Sequence, residues 1–335
     1  MEATKEMKQQ SGVKRFFKAL GKVIGIIFLL LLVAVVILTI RHQMLKGKDR
    51  DKVKNAYGSY YITENNDKMN YTFFDSKSDK LAVLLPGYGC ASVRYEFDSL
   101  IKELNDDYKI LVVEPLGYGL SDVTDTKRSV ENYCSELHGL IASLGYEKYT
   151  LMGHSISGMY AVYYANEYTD EVEAFIGIDA SVPAQTKSDM WFAKPKNMSI
   201  LYNVLSFAVE KTGIYRFMTE LSFKETRNAI PTLTDEEAEN YKSLMVTVPM
   251  NKTQIDEMDC LEDTVNKTID MKFPESVRVL YVLSKDNCDM MPEWEQIHKD
   301  LITNKDSKVV VISGAHYLHH TNLQGLVREI KGFSN

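Results

Sequence analysis

Thr150-Leu151-Met152-Gly153-His154-Ser155-Ile156-Ser157-Gly158-Met159 is the stretch from which the rest of the chain can be read. A short apolar run, Thr150-Leu151-Met152, passes at once into a small-residue turn. A helical pattern then covers Met159–Tyr168. A serine on a tight strand-to-helix turn needs small neighbours two residues before and after it, because the backbone passes close to itself there. Gly153 and Ser157 supply them. Such a turn also aims the Ile156 amide and the helix N-terminus at the space before the serine, where negative charge is stabilised. The plain alternative is that Ser155 only caps a helix.

Working outward, apolar runs of similar length recur at Leu81–Leu85, Ile110–Val113, Tyr149–Met152, Ala174–Ile178, Val277–Leu283 and Val309–Ile312. Each ends in or near Gly, Pro, Asp or Ser, as buried parallel strands do. Helical patterns lie between them, at Val130–Leu144, Met159–Tyr168 and Trp294–Leu301. Strand and helix in alternation predict an α/β fold whose mainly parallel central sheet is flanked by helices. Two aromatic, β-branched segments, Tyr57–Thr63 and Tyr71–Asp75, precede the alternation and read as antiparallel opening strands. The alternation stops over residues 183–273, where helical patterns such as Asn203–Phe217 and Asp235–Leu244 predict an inserted helical cap. Thr234 before Asp235-Glu236-Glu237 is a good helix start, a hydroxyl cap with acids facing the macrodipole.

With the elbow Gly153–Gly158 in that context, residues from about Leu81 to Ile330 resemble the α/β-hydrolase superfamily, in its serine-nucleophile branch. The resemblance implies Ser155 as nucleophile and the chain order nucleophile, acid, histidine. His316, in Val311-Ile312-Ser313-Gly314-Ala315-His316, resembles the catalytic-histidine loop. His319 and His320 are alternatives, and His298 reads as a surface residue of its helix. Asp286, just past the strand Val277–Leu283, resembles the usual acid position; Asp289 and Asp179 are the fallbacks. An aspartate there would hold the imidazole tautomer and stabilise imidazolium. The loop Pro86-Gly87-Tyr88-Gly89 stands where the family often has His-Gly. Its Tyr88 amide would be the second oxyanion donor beside Ile156, and Glu114–Ser121 resembles the next site-shaping loop. Relatives that open epoxides or displace halide carry a carboxylate at the elbow, so Ser155 argues for acyl transfer instead. Such chemistry needs no metal or organic cofactor. A cap rich in Met, Phe and Tyr favours a small-molecule or lipid-like acyl substrate, with peptidase, thioesterase, acyltransferase and inactive binding protein as alternatives. Fold membership does not name the substrate.

The first fifty residues differ from the rest. Val23–Ile40 is eighteen residues without a charge. At about 1.5 Å per residue it reaches roughly 27 Å, near the thickness of a bilayer's hydrocarbon core. It is longer than a usual signal core, and no small-x-small site follows Ile40, so it predicts a retained single-pass anchor. Residues 1–22 read as a basic tail and 41–56 as a juxtamembrane linker. The basic residues Lys14, Arg15, Lys18 and Lys22 before the span are matched by Arg41, Lys46, Lys48 and Arg50 after it. The positive-inside count is therefore tied, and the nearness of the span to the N-terminus favours an outward-facing catalytic domain. Residues 1–50 carry +7 of a chain whose total is −7, so residues 51–335 sum to −14 and make a poor nucleic-acid binder. The basic head suits anionic headgroups. Cys90, Cys134, Cys260 and Cys288 fall in no metal-type spacing and read as structural thiols, with a Cys260–Cys288 disulfide the open alternative.

Overall fold

Eight strands form one sheet in the order β1-β2-β4-β3-β5-β6-β7-β8. They are β1 (Ser59–Ile62), β2 (Lys68–Phe74), β3 (Leu81–Leu85), β4 (Lys109–Glu114), β5 (Tyr149–His154), β6 (Val172–Ile178), β7 (Arg278–Ser284) and β8 (Lys308–Ile312). The computed structural model describes residues 2–334, with side chains from Phe16 onward. β1 and β2 pair antiparallel, β2 runs antiparallel to β4, and every remaining pair is parallel.

Alternation of side chains across the sheet divides the core in two. Leu81, Val83 and Leu85 of β3 face a cluster with Tyr133, Leu137 and Ile141, whereas Ala82 and Leu84 face one with Phe97, Leu100 and Ile330. Both faces of β3 are buried, which is why it reads as an unbroken apolar run. The chain goes one way from β3 to β4 and the other way to β5, so the strand order reverses at β3. In open α/β sheets the crevice at the carboxyl ends of such strands is where ligands bind.

Helix α1 (Glu2–Val53) contains the apolar run. Its segment Phe16–Val53 is long and apolar enough to cross a membrane, and the most apolar window has none of its residues buried. The side chains of Lys14 and Arg15 in the expected basic tail lie outside the described residues. Residues 41–53, expected as a linker, instead continue α1. Further helices are α2 (Val130–Ser143), α3 (Ser157–Glu167), α4 (Pro195–Lys211), α5 (Ile214–Ala229) and α6 (Asp235–Met245). Between β6 and β7 the described residues hold helices and no strand. The pattern Asn203–Phe217 is broken at Thr212-Gly213 into α4 and α5. α6 starts as its sequence dictates, with Thr234 and Glu237 in a reciprocal capping box.

The lower part of α1 is clamped to α5 by charge. Arg41 makes a two-pronged contact with Glu220 at 2.7 and 3.1 Å. Buried Arg216 reaches Asp49 at 2.7 Å and donates to His42 Nδ1 at 3.1 Å. Val53 then joins a cluster with Tyr95, Ile230, Leu233 and Tyr241. All four cysteines are free, and Cys90, Cys134 and Cys260 are buried.

Candidate active site

The carboxyl ends of β3, β5, β6 and β8 place the site. Register pairs Leu85 with Gly153 and His154 with Ile178, so Ser155 and Asp179 each follow a strand end at the same level. Ser155 has φ +52° and Asp179 φ +40°, left-handed conformations that side chains bearing a Cβ rarely adopt. Both are fixed by neighbouring backbone: Asp179 N–H donates to Val282 O at 2.8 Å, and Ser181 N–H to Ser155 O at 2.6 Å. Strain held this way concentrates at functional positions.

The elbow is packed from below. A Cβ on Gly158 would fall 2.4 Å from Ser181 O, so α3 could not approach the β6 end with any larger residue there. A Cβ on Gly87 would fall 2.5 Å from His154 Nδ1 and 3.2 Å from Ser155 Cβ. Gly87 thus lets the β3 loop close over the serine turn, and Ser157 Oγ ties the two by donating to Pro86 O at 2.5 Å. The amides of Tyr88 and Ile156, the expected oxyanion donors, have no acceptor among the loop and turn hydrogen bonds of the described residues. The Tyr88 hydroxyl is turned away, donating to Gln254 O at 2.9 Å, and its ring meets Tyr202 of α4 edge-on.

The imidazole of His316 does not face the expected acid. Its Nδ1 lies 2.6 Å from Asp179 Oδ2. Asp179 is fully buried and accepts from Ser284 N–H at 2.9 Å, Trp294 Nε1 at 3.2 Å and Asn287 Nδ2 at 2.5 Å. These donors satisfy the oxygens of a carboxylate in a place without water. Asp286 is exposed. Ser284 caps the short helix Lys285–Met290, so the chain turns immediately and carries Asp286 outward, while Asn287 takes the inward position, 3.3 Å from His316 Nδ1. Asp289 also points out, paired with Lys285. Asp179, a fallback in the sequence, ends an apolar strand beside the one that leads to Ser155.

The other histidines are structural neighbours. His298, expected on the surface, is buried and bonded through its ring nitrogens to Trp294 O at 2.6 Å and Ala180 O at 2.8 Å. His154 bonds His316 O at 3.2 Å through Nε2, bracing the histidine loop. Burial, with His316 and His319 near, pushes its pKa well below the usual histidine value. His319 is buried and stacked on Phe97 at 4.1 Å, with neither ring nitrogen hydrogen-bonded. Glu96 lies 3.8 Å from it, and burial raises that carboxyl's own pKa. Burial first, then His320 and His316, drives the His319 pKa well down. The linkage sign follows: the unfolded chain protonates this residue near pH 6.5 and the folded chain does not, so stability falls as pH drops below that value, by up to about 1.4 kcal/mol per pH unit. His319→Phe keeps the stack and removes the proton acceptor. Thermal melts from pH 7 to pH 5 should show the variant's advantage over the parent growing as pH falls; a constant gap would contradict this.

Ser155 and His316 line one cavity of about 370 Å³. Its walls are mostly apolar: Phe192, Ala193, Met198, Met290, Met291 and Trp294, with Ser181, Gln185 and Asn287 as the further polar groups. A serine on a tight turn, an imidazole with a seated carboxylate, and the amides of Tyr88 and Ile156 without acceptors are the kinds of group that acyl transfer uses.

Comparison with known proteins agrees with this architecture. A family model described as the alpha/beta hydrolase fold matches residues 82–323. The uncharacterized protein YbdG of Bacillus subtilis is 27% identical over 273 residues, covering 78% of this chain and 80% of that protein. Epoxide hydrolase 1 of Caenorhabditis elegans is 26% identical over 136 residues, covering 39% of this chain and 32% of its own length. Among solved structures, Cfl2 of Burkholderia cenocepacia superposes with a TM-score of 0.65 at 16% identity, over 82% of this chain and 95% of that one.

Proposed function

The chain belongs to the α/β-hydrolase family, and from that premise we propose that it is a membrane-anchored serine hydrolase of carboxylic esters, lipid-like ones foremost, working through an acyl-enzyme. The observation that carries this reading is that His316, held by buried Asp179, lines the same apolar cavity as Ser155. With Nδ1 committed to Asp179, Nε2 is the nitrogen left to take the Ser155 proton. The serine oxygen attacks the ester carbonyl, and the amides of Tyr88 and Ile156 stabilise the oxyanion. Imidazolium then returns its proton to the departing alcohol. In the second half, His316 takes a proton from water as its oxygen attacks the acyl carbon, and the imidazolium returns that proton to Ser155 Oγ as the C–Oγ bond breaks and the acid leaves. The cavity's methionines and aromatics suit an acyl chain. The epoxide hydrolase named above is a likeness over part of the chain; a serine at the elbow lacks the carboxylate that would open an epoxide through an ester.

We place residues 23–40 across a bilayer, with the catalytic domain on the extracytoplasmic side. Protease protection in intact cells tests that orientation: digestion of residues 51–335 before lysis supports it, and protection until lysis overturns it. The activity is tested on a panel of esters, thioesters and peptides, with and without added alcohol. Hydrolysis of esters above the other classes is expected. Turnover of thioesters or peptides alone, or acyl transfer to alcohol in place of release to water, would replace the ester reading.

A further inference from the structure

The helical hairpin of α4 and α5 is unusual in what it exposes. Every exposed residue from Val204 through Leu221 is apolar except Lys211. Val204 and Phe207 are each 68% exposed and Leu221 71%. The side chains fall on stripes at helical spacing, Ile200, Val204 and Phe207 on α4, then Ile214, Met218 and Leu221 on α5. A surface patch this continuous marks an interaction site. The two acids nearest the tip point the other way, Glu210 toward Lys46 at 3.6 Å and Glu220 toward Arg41.

Where the hairpin sits names the occupant. Its tip at Gly213 packs against the backbone of Leu38, so closely that a Cβ there would fall 1.9 Å from Leu38 O. Leu38 lies within the apolar run 23–40. The exposed stripes therefore begin at the level where that run ends, and a modest tilt, ordinary for a single span, lays them along the interface. Phe192, exposed just before α4, lines the cavity containing Ser155, and Met198 lines it from the inner face of α4.

We propose that the outer face of the α4–α5 hairpin is immersed in the headgroup–acyl boundary of the bilayer that α1 spans, and that the cavity takes its acyl substrate from that layer. The proposal rests on the membrane-anchored hydrolase reading and adds the route of entry. Lys211, the one exposed charge at the tip, extends its ammonium to the headgroups. Burial of this face adds to the anchoring of α1 in the way of an interfacial helix.

The test uses the full chain in vesicles of phosphatidylcholine and phosphatidylglycerol. An indole introduced as Phe217→Trp should be quenched when brominated phosphatidylcholine replaces the ordinary lipid. One introduced as Glu225→Trp, exposed beyond the patch, should not. In a second arm, Phe207→Asp with Leu221→Asp should lower hydrolysis of a vesicle-borne long-chain ester about tenfold or more, because charge opposes interfacial burial. Hydrolysis of a short water-soluble ester should be unchanged. Absence of quenching at Phe217→Trp overturns the proposal, and cross-linking of copies through Phe217→Cys would then identify a second copy as the cover. Equal loss on both esters overturns the entry route. A chain that hydrolyses no ester would refute the proposed activity, while the quenching would still decide the face.

Discussion

Ser155→Ala should lower ester turnover roughly 10⁴- to 10⁶-fold, leaving the thermal melt close to that of the parent. The size of the effect follows from the covalent route. Without the hydroxyl no acyl-enzyme forms, and only the oxyanion amides and binding in the cavity remain to assist water. A fluorophosphonate probe should label Ser155 and no other residue. Ser157 is the informative control, since it shares the turn but is buried with its hydroxyl committed to Pro86 O. Label found at Ser157, or near-parental turnover in Ser155→Ala, would remove the nucleophile assignment. His316→Ala should lose nearly as much, and the double variant little more, because the groups act as a unit.

Asp179→Asn should cost roughly 10³- to 10⁴-fold in turnover, since an amide can present the wrong partner to Nδ1 and stabilise the wrong tautomer. Asp286→Asn should change turnover less than about twofold, as expected of an exposed substitution away from any partner. The contrast is the measurement. Severe loss in Asp286→Asn with near-parental Asp179→Asn would mean that the β7 segment rearranges to bring Asp286 onto the imidazole when substrate binds. Stability must be read alongside, because Asp179 also receives hydrogen bonds from Ser284, Asn287 and Trp294.

Much of this arrangement was legible because local patterns decide it. The Leu81–Leu85 run is buried on both faces and is bounded as its composition predicts. The small residues around Ser155 announce the elbow, and the glycine before His316 announces its loop. The choice between Asp286 and Asp179 is of another kind. Both follow apolar strands, and period alone does not say to which neighbouring strand end a loop will swing its imidazole. The deciding detail is Ser284, which caps a helix at once and turns Asp286 to solvent. His298 reads as a surface residue yet is buried, because a six-residue helix, Trp294–Lys299, has too few turns to define its faces. Residues 41–53 look like a charged linker because the partners of Arg41 and Asp49 lie on α5, far along the chain.

In the proposed mechanism the carboxylate sits at the end of β6, so the turn after β7 has no proton to manage. Asn287, Met290 and Met291 of that turn and the residue after it still form a wall of the cavity. On that reading Met290 and Met291 serve selection, while Ser284 and Asn287 of the same segment serve the carboxylate. In an acyl-ester hydrolase, exchange of Met290 or Met291 for larger or smaller apolar residues would retune which chains are accepted while the Asp179–His316 contact stays in place. Diversification of this segment by evolution, or by a directed library, would then explore new preferences with the reaction itself held constant.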